Sequence, residues 1–374
     1  MMGLRWVDWP PEVLASLRTG VAIPAHPLAL DEHRKLDVRR QRALTRYYLD
    51  AGSGGLAVGV HTTQFAIREA GLYRPVLELA MRTKDEWTSR SAVMIAGVVG
   101  RTEQAVKEAQ VARGLGYHAG LLSLAAMKGA SEDELIAHAR TVAGEIPLVG
   151  FYLQPAVGGI ALPASFWRRF AAIENVAAIK IAPFNRYRTL DVVRGVVEAG
   201  AADRVTLYTG NDDHIVQDLV TPYAVAHNGA VTTVRIKGGL LGHWSVWVQK
   251  AVELLYQTHM AAAANAVPAD LLALDSQVTD CNAAIFDVAN NFHGVIAGCH
   301  EILRRQGLLQ GTWCLDPAET LGPGQREEID RALHPHAPVT EQPAADAHRD
   351  RPAANHHGER RHEVEQDVIV VARI

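Results

Sequence analysis

Residues 176–183 read "VAAIKIAP", a short apolar run with one lysine in it, closed by Pro183. A run of this length without polar alternation predicts a parallel strand packed on both faces. Lys180 shares a face with Ala178 and Ala182, which leave it room, while Ile179 and Ile181 share the other face and suit a covering helix. A buried ammonium loses its hydration, so an unpartnered one is costly or titrates to neutral. Lys180 is therefore either a strand-end side chain that snorkels to water or an amine kept for its chemistry.

Outward from this strand, short apolar runs alternate with longer helical patterns from about residue 20 to 258. The strand candidates are 21–26, 55–63, 92–100, 117–124, 146–154, 176–183, 205–212 and 229–237. Between them lie amphipathic stretches such as "TEQAVKEAQVARGLG", with Thr102 as N-cap and Gly116 as stop. "SEDELIAHARTVAGE" opens on a capping box, Ser131 with Glu134. Alternating strands and helices imply a parallel sheet, and eight such units imply a (β/α)8 TIM barrel over residues 1–258 with its N-terminal lead-in. A doubly wound sheet would carry a glycine fingerprint after its first strand, and "IPAHPLAL" has none. Residues 259–333 predict a C-terminal helical extension. From His334 to residue 374 the chain is rich in Pro, Ala, His and charge, which predicts a disordered tail ending in an unassigned "VIVVARI".

The chain has 374 residues, 48% hydrophobic and 21% charged, with a formal net charge of −4. That balance gives no reason to expect nucleic acid or an anionic membrane as partner. The three cysteines, Cys281, Cys299 and Cys314, have no CxxC spacing and fit a reducing cytoplasm. "MMGLRWVDWPPEV" has no signal-peptide pattern, and no segment approaches a membrane span. The expected location is cytoplasmic.

Barrel sites sit at the C-terminal ends of the strands. On strand five, assigning Val149, Phe151 and Leu153 to the helix-facing side points Tyr152 inwards near the mouth, beside Lys180. A phenol next to an amine is a specific pairing, because the amine can form a Schiff base and the phenol can carry protons. The alternative is a tyrosine bonded to a backbone carbonyl beside a snorkelling lysine. Strand two ends in "HTTQF", whose Thr62 and Thr63 can bind a carboxylate. Gly210 in "TGNDD" is a further substrate-binding candidate. Arg235 and Lys237, placed at the end of strand eight, can attract an anion or lie at the rim.

At these residues the chain resembles the dihydrodipicolinate synthase/N-acetylneuraminate lyase family of class I lyases. The matching pieces are "GGLAVGVHTTQF", "GRTEQAVKEAQVARGLGYHAGLL", "IPLVGFYLQP", "ENVAAIKIA" and "LYTGNDD", in the family's order and with its Tyr-to-Lys spacing. The resemblance covers roughly residues 20–333. It implies that Lys180 forms the Schiff base with a 2-oxo acid such as pyruvate and that Tyr152 relays protons. Thr62 and Thr63 would hold the carboxylate, Thr63 sharing in proton transfer, in a homotetramer or dimer. No cofactor or metal is implied, since the imine itself is the electron sink.

The chain departs from the family's pattern at three places. Gln64-Phe65 replaces Gly-Glu, "SLAAMKG" lacks the tyrosine that reaches a neighbouring subunit, and Pro155-Ala156-Val157-Gly158 lacks the synthases' arginine. These changes predict a more apolar mouth lined by Phe65, Met127 and Val157, and an aldehyde or sugar-acid co-substrate rather than aspartate semialdehyde. The alternatives are a non-catalytic relative that binds a small acid, and a metal-dependent barrel hydrolase, for which "IPAHP" supplies only His26.

Overall fold

A computed structural model describes residues 3–333 and Thr340; the predicted tail and its final "VIVVARI" otherwise lie outside the described residues. Among the described residues ten strands are formed: β1 (Ala22–Pro24), β2 (Gly55–Val58), β3 (Val93–Val98), β4 (Ala119–Leu122), β5 (Leu148–Leu153), β6 (Val176–Ala182), β7 (Thr206–Thr209), β8 (Tyr223–His227), β9 (Ala230–Val234) and β10 (Ile236–Leu241). Eight of them form one parallel sheet in the order β1-β10-β7-β6-β5-β4-β3-β2. A parallel bridge between Ala25 and Ala57 joins the two ends of that order. The His26 N–H donates to Ala57 O across the same seam, at 2.8 Å. The result is the (β/α)8 barrel expected from the alternation of patterns.

The helices are α1 (Pro11–Thr19), α2 (Val38–Asp50), α3 (Tyr73–Trp87), α4 (Thr102–Gly114), α5 (Glu132–Ala143) and α6 (Ala164–Ala171). They continue with α7 (Arg186–Glu198), α8 (Ile215–Val220), α9 (Val248–Ala264), α10 (Ala269–Ile285), α11 (Val295–Arg305) and α12 (Gln325–Leu333). Sequence signals set several boundaries. Ser131 and Glu134 form the expected capping box of α5. Gly116, at φ +88°, follows the last turn of α4 in a conformation that favours glycine. Thr102 is the first residue of α4 rather than its cap, and its hydroxyl bonds the His138 ring at 2.9 Å. The expected domain boundary at 258/259 falls inside α9, so the helices beyond the barrel begin with α10.

Two apolar cores result. One lies between strands and helices and contains Ile179, Ile181, Leu148 and Tyr152. The other fills the barrel with Ile23, Val93, Leu121, Val149, Phe151, Ala178 and Tyr208. Trp9, Val13 and Leu17 of the α1 region join this inner core from below, and Tyr208 Oη donates to Leu17 O at 2.9 Å. Helix α1 thus closes the N-terminal end of the barrel.

The eighth barrel strand is not where the sequence reading put it. Residues 223–234 form an antiparallel hairpin, β8 with β9, and the barrel strand is β10. The hairpin turns at Asn228 (φ +49°) and Gly229 (φ +78°), the residue types that accept left-handed geometry in a two-residue turn. Arg235 stands between the hairpin and β10, at the N-terminal end of the barrel strand.

Candidate active site

Lys180 projects from β6 into the barrel, as the parity of its strand requires: Ala178 and Ala182 belong to the inner core, Ile179 and Ile181 to the outer. Its side chain ends in a pocket at the C-terminal ends of the strands, the end at which barrel sites are built. The residue is only 7% exposed. Burial pulls its pKa down to about 8, with Asp212 opposing the shift. Asp212, at the end of β7, is itself pushed up to about 7 by burial, against the His243 backbone N–H bond and the charge of Lys180. That N–H donates to Asp212 Oδ1 at 2.8 Å. Amine and carboxylate line one pocket without forming a direct ion pair. The ammonium lies instead over the Phe151 ring, 4.4 Å from its centroid.

Room for the lysine comes from the end of the neighbouring strand β7, where the Gly210 N–H donates to Ile181 O at 2.7 Å. A Cβ on Gly210 would lie 2.6 Å from Lys180 Cε and 2.8 Å from Ala182 Cβ, and Gly210 is one of the pocket-lining residues. The segment after β7 is fixed from behind. Asp218 accepts from Thr209 Oγ1 at 2.7 Å, Asn211 Nδ2 at 2.9 Å and Tyr223 Oη at 3.0 Å, and pairs with Arg186. Asn211 Oδ1 in turn accepts the Phe184 N–H at 3.0 Å, holding Phe184 at φ +48° with its ring in the pocket wall.

The opposite wall is the helical turn His61–Thr63 after β2. Thr62 lines the pocket, and its hydroxyl donates to Ala25 O at 2.7 Å. Thr63 lies behind it: Oγ1 accepts from the Gly59 and Val60 N–H groups and donates to His26 O at 2.6 Å. Both threonine hydroxyls are thereby committed to the backbone around the turn. Gln64, at φ +67°, uses its side-chain carbonyl to accept the Leu315 N–H at 2.6 Å. It occupies the position where the resemblance expects glycine, and it ties the turn to the C-terminal segment.

Tyr152 does not face the lysine. Phe151 is paired with Lys180 in the parallel register, and Tyr152 with Ile181, so the expected inner and outer faces of β5 are exchanged. Tyr152 packs on Trp167 of α6 at 5.1 Å between ring centroids. Its hydroxyl donates to Leu162 O and accepts from Leu162 N, both at 3.1 Å. Gly150 lies on the same helix-facing side, where a Cβ would come 2.6 Å from the Phe170 ring. This corrects the expectation of an inward phenol: the bonded tyrosine, the alternative in the sequence reading, is what forms.

Arg235 is also corrected. Its guanidinium donates to Val220 O at 2.8 Å, and its place before β10 sets it at the end of the barrel opposite Lys180. Lys237 lies near the same end, its carbonyl bonded to His259 Nε2 at 2.7 Å. Of the expected apolar lining, Val157 is in the pocket, whereas Phe65 and Met127 do not line it. Its aromatic wall is instead Phe151, Phe184, Phe286 and Phe292, four of the chain's seven phenylalanines. The last two come from the connection between α10 and α11, beyond the barrel. His61 is a second pocket residue that the sequence reading passed over, although it adjoins the threonine pair.

A closed parallel barrel with a buried amine at the carboxyl ends of its strands defines a class of barrel protein built around a lysine-centred pocket. The sequence profile of the dihydrodipicolinate synthetase family matches residues 19–335, and the chain belongs to that family. A curated relative, the 4-hydroxy-tetrahydrodipicolinate synthase of Desulforudis audaxviator, is 30% identical over 199 residues, 52% of this chain and 63% of that protein. The match therefore spans less than two thirds of the relative's length. Among solved structures, the dihydrodipicolinate synthase of Acinetobacter baumannii complexed with pyruvate is 18% identical with a TM-score of 0.68, covering 84% of this chain and 98% of that one. A prophage protein of the family from E. coli K12, also in complex with pyruvate, gives 19% and 0.69, covering 85% and 98%. The N-acetylneuraminate lyase of Fusobacterium nucleatum gives 16% and 0.66, covering 84% and 98%. At these identities the similarity establishes the architecture. Among the described residues no helix is long and apolar enough to cross a membrane.

Proposed function

We propose that the protein is a Schiff-base-forming lyase, in which Lys180 condenses with a 2-oxo acid such as pyruvate to make or break a carbon–carbon bond or to eliminate water. The observation that carries this reading is the amine itself. Lys180 lies inside an otherwise largely apolar barrel, at the mouth, with burial supplying a fraction of free amine near neutral pH. The pyruvate complexes of two structural neighbours agree with a 2-oxo acid as first substrate. The reaction needs no metal or organic cofactor, because the protonated imine withdraws the electrons. The metal-hydrolase alternative finds little support: His26 is engaged by Pro27 O and Thr45 Oγ1. Among the described residues no His, Cys, Asp and Glu group is suited to hold an ion.

The second substrate is read from the wall. Phe151, Phe184, Phe286, Phe292, Leu153 and Val157 face the space beyond the amine, so the partner of the imine is an aldehyde with an aromatic or long apolar group. Residues 155–157 supply no guanidinium there, which disfavours a carboxylate-bearing semialdehyde. A homo-oligomer in the cytoplasm remains the expected setting. The test is borohydride reduction in the presence of pyruvate. The expected result is an added mass on the peptide containing Lys180, absent from Lys180→Ala. Trapping on another lysine, with Lys180→Ala still active, would overturn the assignment. A non-catalytic relative would bind the acid without any reducible adduct.

A further inference from the structure

With Tyr152 turned towards α6, the pocket still needs a group that moves protons, if the Schiff-base reading above holds. The titratable side chains that line it are Lys180, Asp212 and His61. Asp212 is engaged by the His243 N–H and is placed to balance the charge of Lys180. His61 is different. Its ring lines the pocket, rests against Phe65 at 5.7 Å between centroids, and makes no hydrogen bond among the described residues. By contrast the His243 ring lies 3.3 Å from the Asn282 amide. The turn that His61 begins is pinned by Thr63 to the His26 carbonyl, just beyond β1.

We infer that His61 is the proton-transfer group of this pocket, in the role the resemblance gives to Tyr152. Once the Lys180 amine has displaced the keto oxygen of pyruvate as water, a C3–H bond of the iminium breaks. Its electron pair becomes the enamine double bond and neutralises the iminium nitrogen, and the proton passes to a ring nitrogen of His61. The enamine carbon then bonds to the aldehyde carbon, and the imidazolium returns the proton to the aldehyde oxygen. Burial and the charge of Lys180 hold His61 down to about 4, so the ring is a free base at neutral pH. The carboxylate of a bound 2-oxo acid would offset that charge and strengthen the base when it is needed.

The experiment follows pyruvate in D2O by proton NMR, with borohydride trapping in parallel, for the wild-type protein and the His61→Ala, His61→Gln and Asp212→Asn variants. The expected result is that both His61 variants trap pyruvate on Lys180 to the wild-type extent. Exchange of the methyl protons should slow about 10²–10⁴-fold in both, with added imidazole restoring part of the rate in His61→Ala. Methyl exchange within a few-fold of wild type in both would overturn the role. So would loss of trapping in both, which marks His61 as structural, or loss of exchange confined to Asp212→Asn. A wild-type protein that shows no trapping would remove the Schiff-base reading and this inference together; trapping with unimpaired exchange in the His61 variants removes this inference alone.

Discussion

Gly210 leaves the lysine its space, and the space is tight. Added as Gly210→Ala, a methyl would meet both Lys180 and Ala182. The lysine stem can bend, but Ala182 is part of a strand. Overpacking of this kind typically costs about 1–3 kcal/mol, and here it also displaces the amine. Gly210→Ala should lower the melting temperature slightly and the rate of borohydride trapping by more than about tenfold; an unchanged trapping rate would show that the amine has other room. Tyr152→Phe should do the reverse. It leaves the Leu162 N–H and carbonyl without their shared partner, a loss of about 1–3 kcal/mol in denaturant titration, with kcat held within a few-fold. A large kcat loss without destabilisation would return the tyrosine to catalysis. The amine's own titration gives a third outcome. Trapping should rise with pH through about 8 and then level off. In Asp212→Asn the limb should move to lower pH, because the anion that favours the ammonium is gone. Lys180 was legible in the sequence because small and branched residues alternate around it. Tyr152 was not, because aromatic residues at 151 and 152 make either parity plausible until Phe170 and Trp167 are seen to fill the outer side.

Strand β5 shows how one choice of parity assigns a whole face. The strand alternates regularly, with Leu148 and Tyr152 in the outer core and Val149, Phe151 and Leu153 in the inner one; the extra residue in its pairing with β6 is Ala177 of β6. Glycine carried the missing signal: Gly150 belongs under the Phe170 ring, which puts its neighbours Val149 and Phe151 inside. The eighth strand failed for another reason. "AVTTV" is a good strand and is one, but "HNGA" before it was a hairpin turn signal. Reading that turn would have moved the barrel strand on to "IKGGLL" and Arg235 away from the mouth. Loops are less legible still, since their anchors are distant in sequence. Asp218 holds Thr209, Asn211, Tyr223 and Arg186 together with its side chain fully buried. Asp218→Ala leaves these donors without their acceptor and should destabilise by about 3–5 kcal/mol, releasing Phe184 from its wall. Equilibrium unfolding checks this; a loss below about 1 kcal/mol would mean the loop is held elsewhere.

The molecule as a whole carries buried neutral histidines. His26, His243 and His300 are each pushed down to about 4 by burial. Unfolded imidazoles bind protons from about 6.5 downwards, whereas these wait until about 4. Their contribution to stability is therefore intact above about 6.5 and is lost as the pH falls towards 4. Asp212, pushed up by burial, works in the opposite direction across that range. The melting temperature should fall steadily across this window in scanning calorimetry, and a flat profile would contradict these burials. The fold class was readable from the sequence because periodicity is a whole-chain property that single errors do not disturb. The aromatic wall was not, since Phe286 and Phe292 reach the mouth from beyond the barrel. Helix α1 has a kinetic consequence. Trp9, Val13 and Leu17 stop the lower end, so the barrel is a blind tube with one doorway. For the proposed reaction, traffic through it is last in, first out: the acid must reach Lys180 before the aldehyde settles among the phenylalanines, and must be the last to leave. Aldehyde in excess should therefore block the corridor, giving dead-end inhibition that more pyruvate relieves.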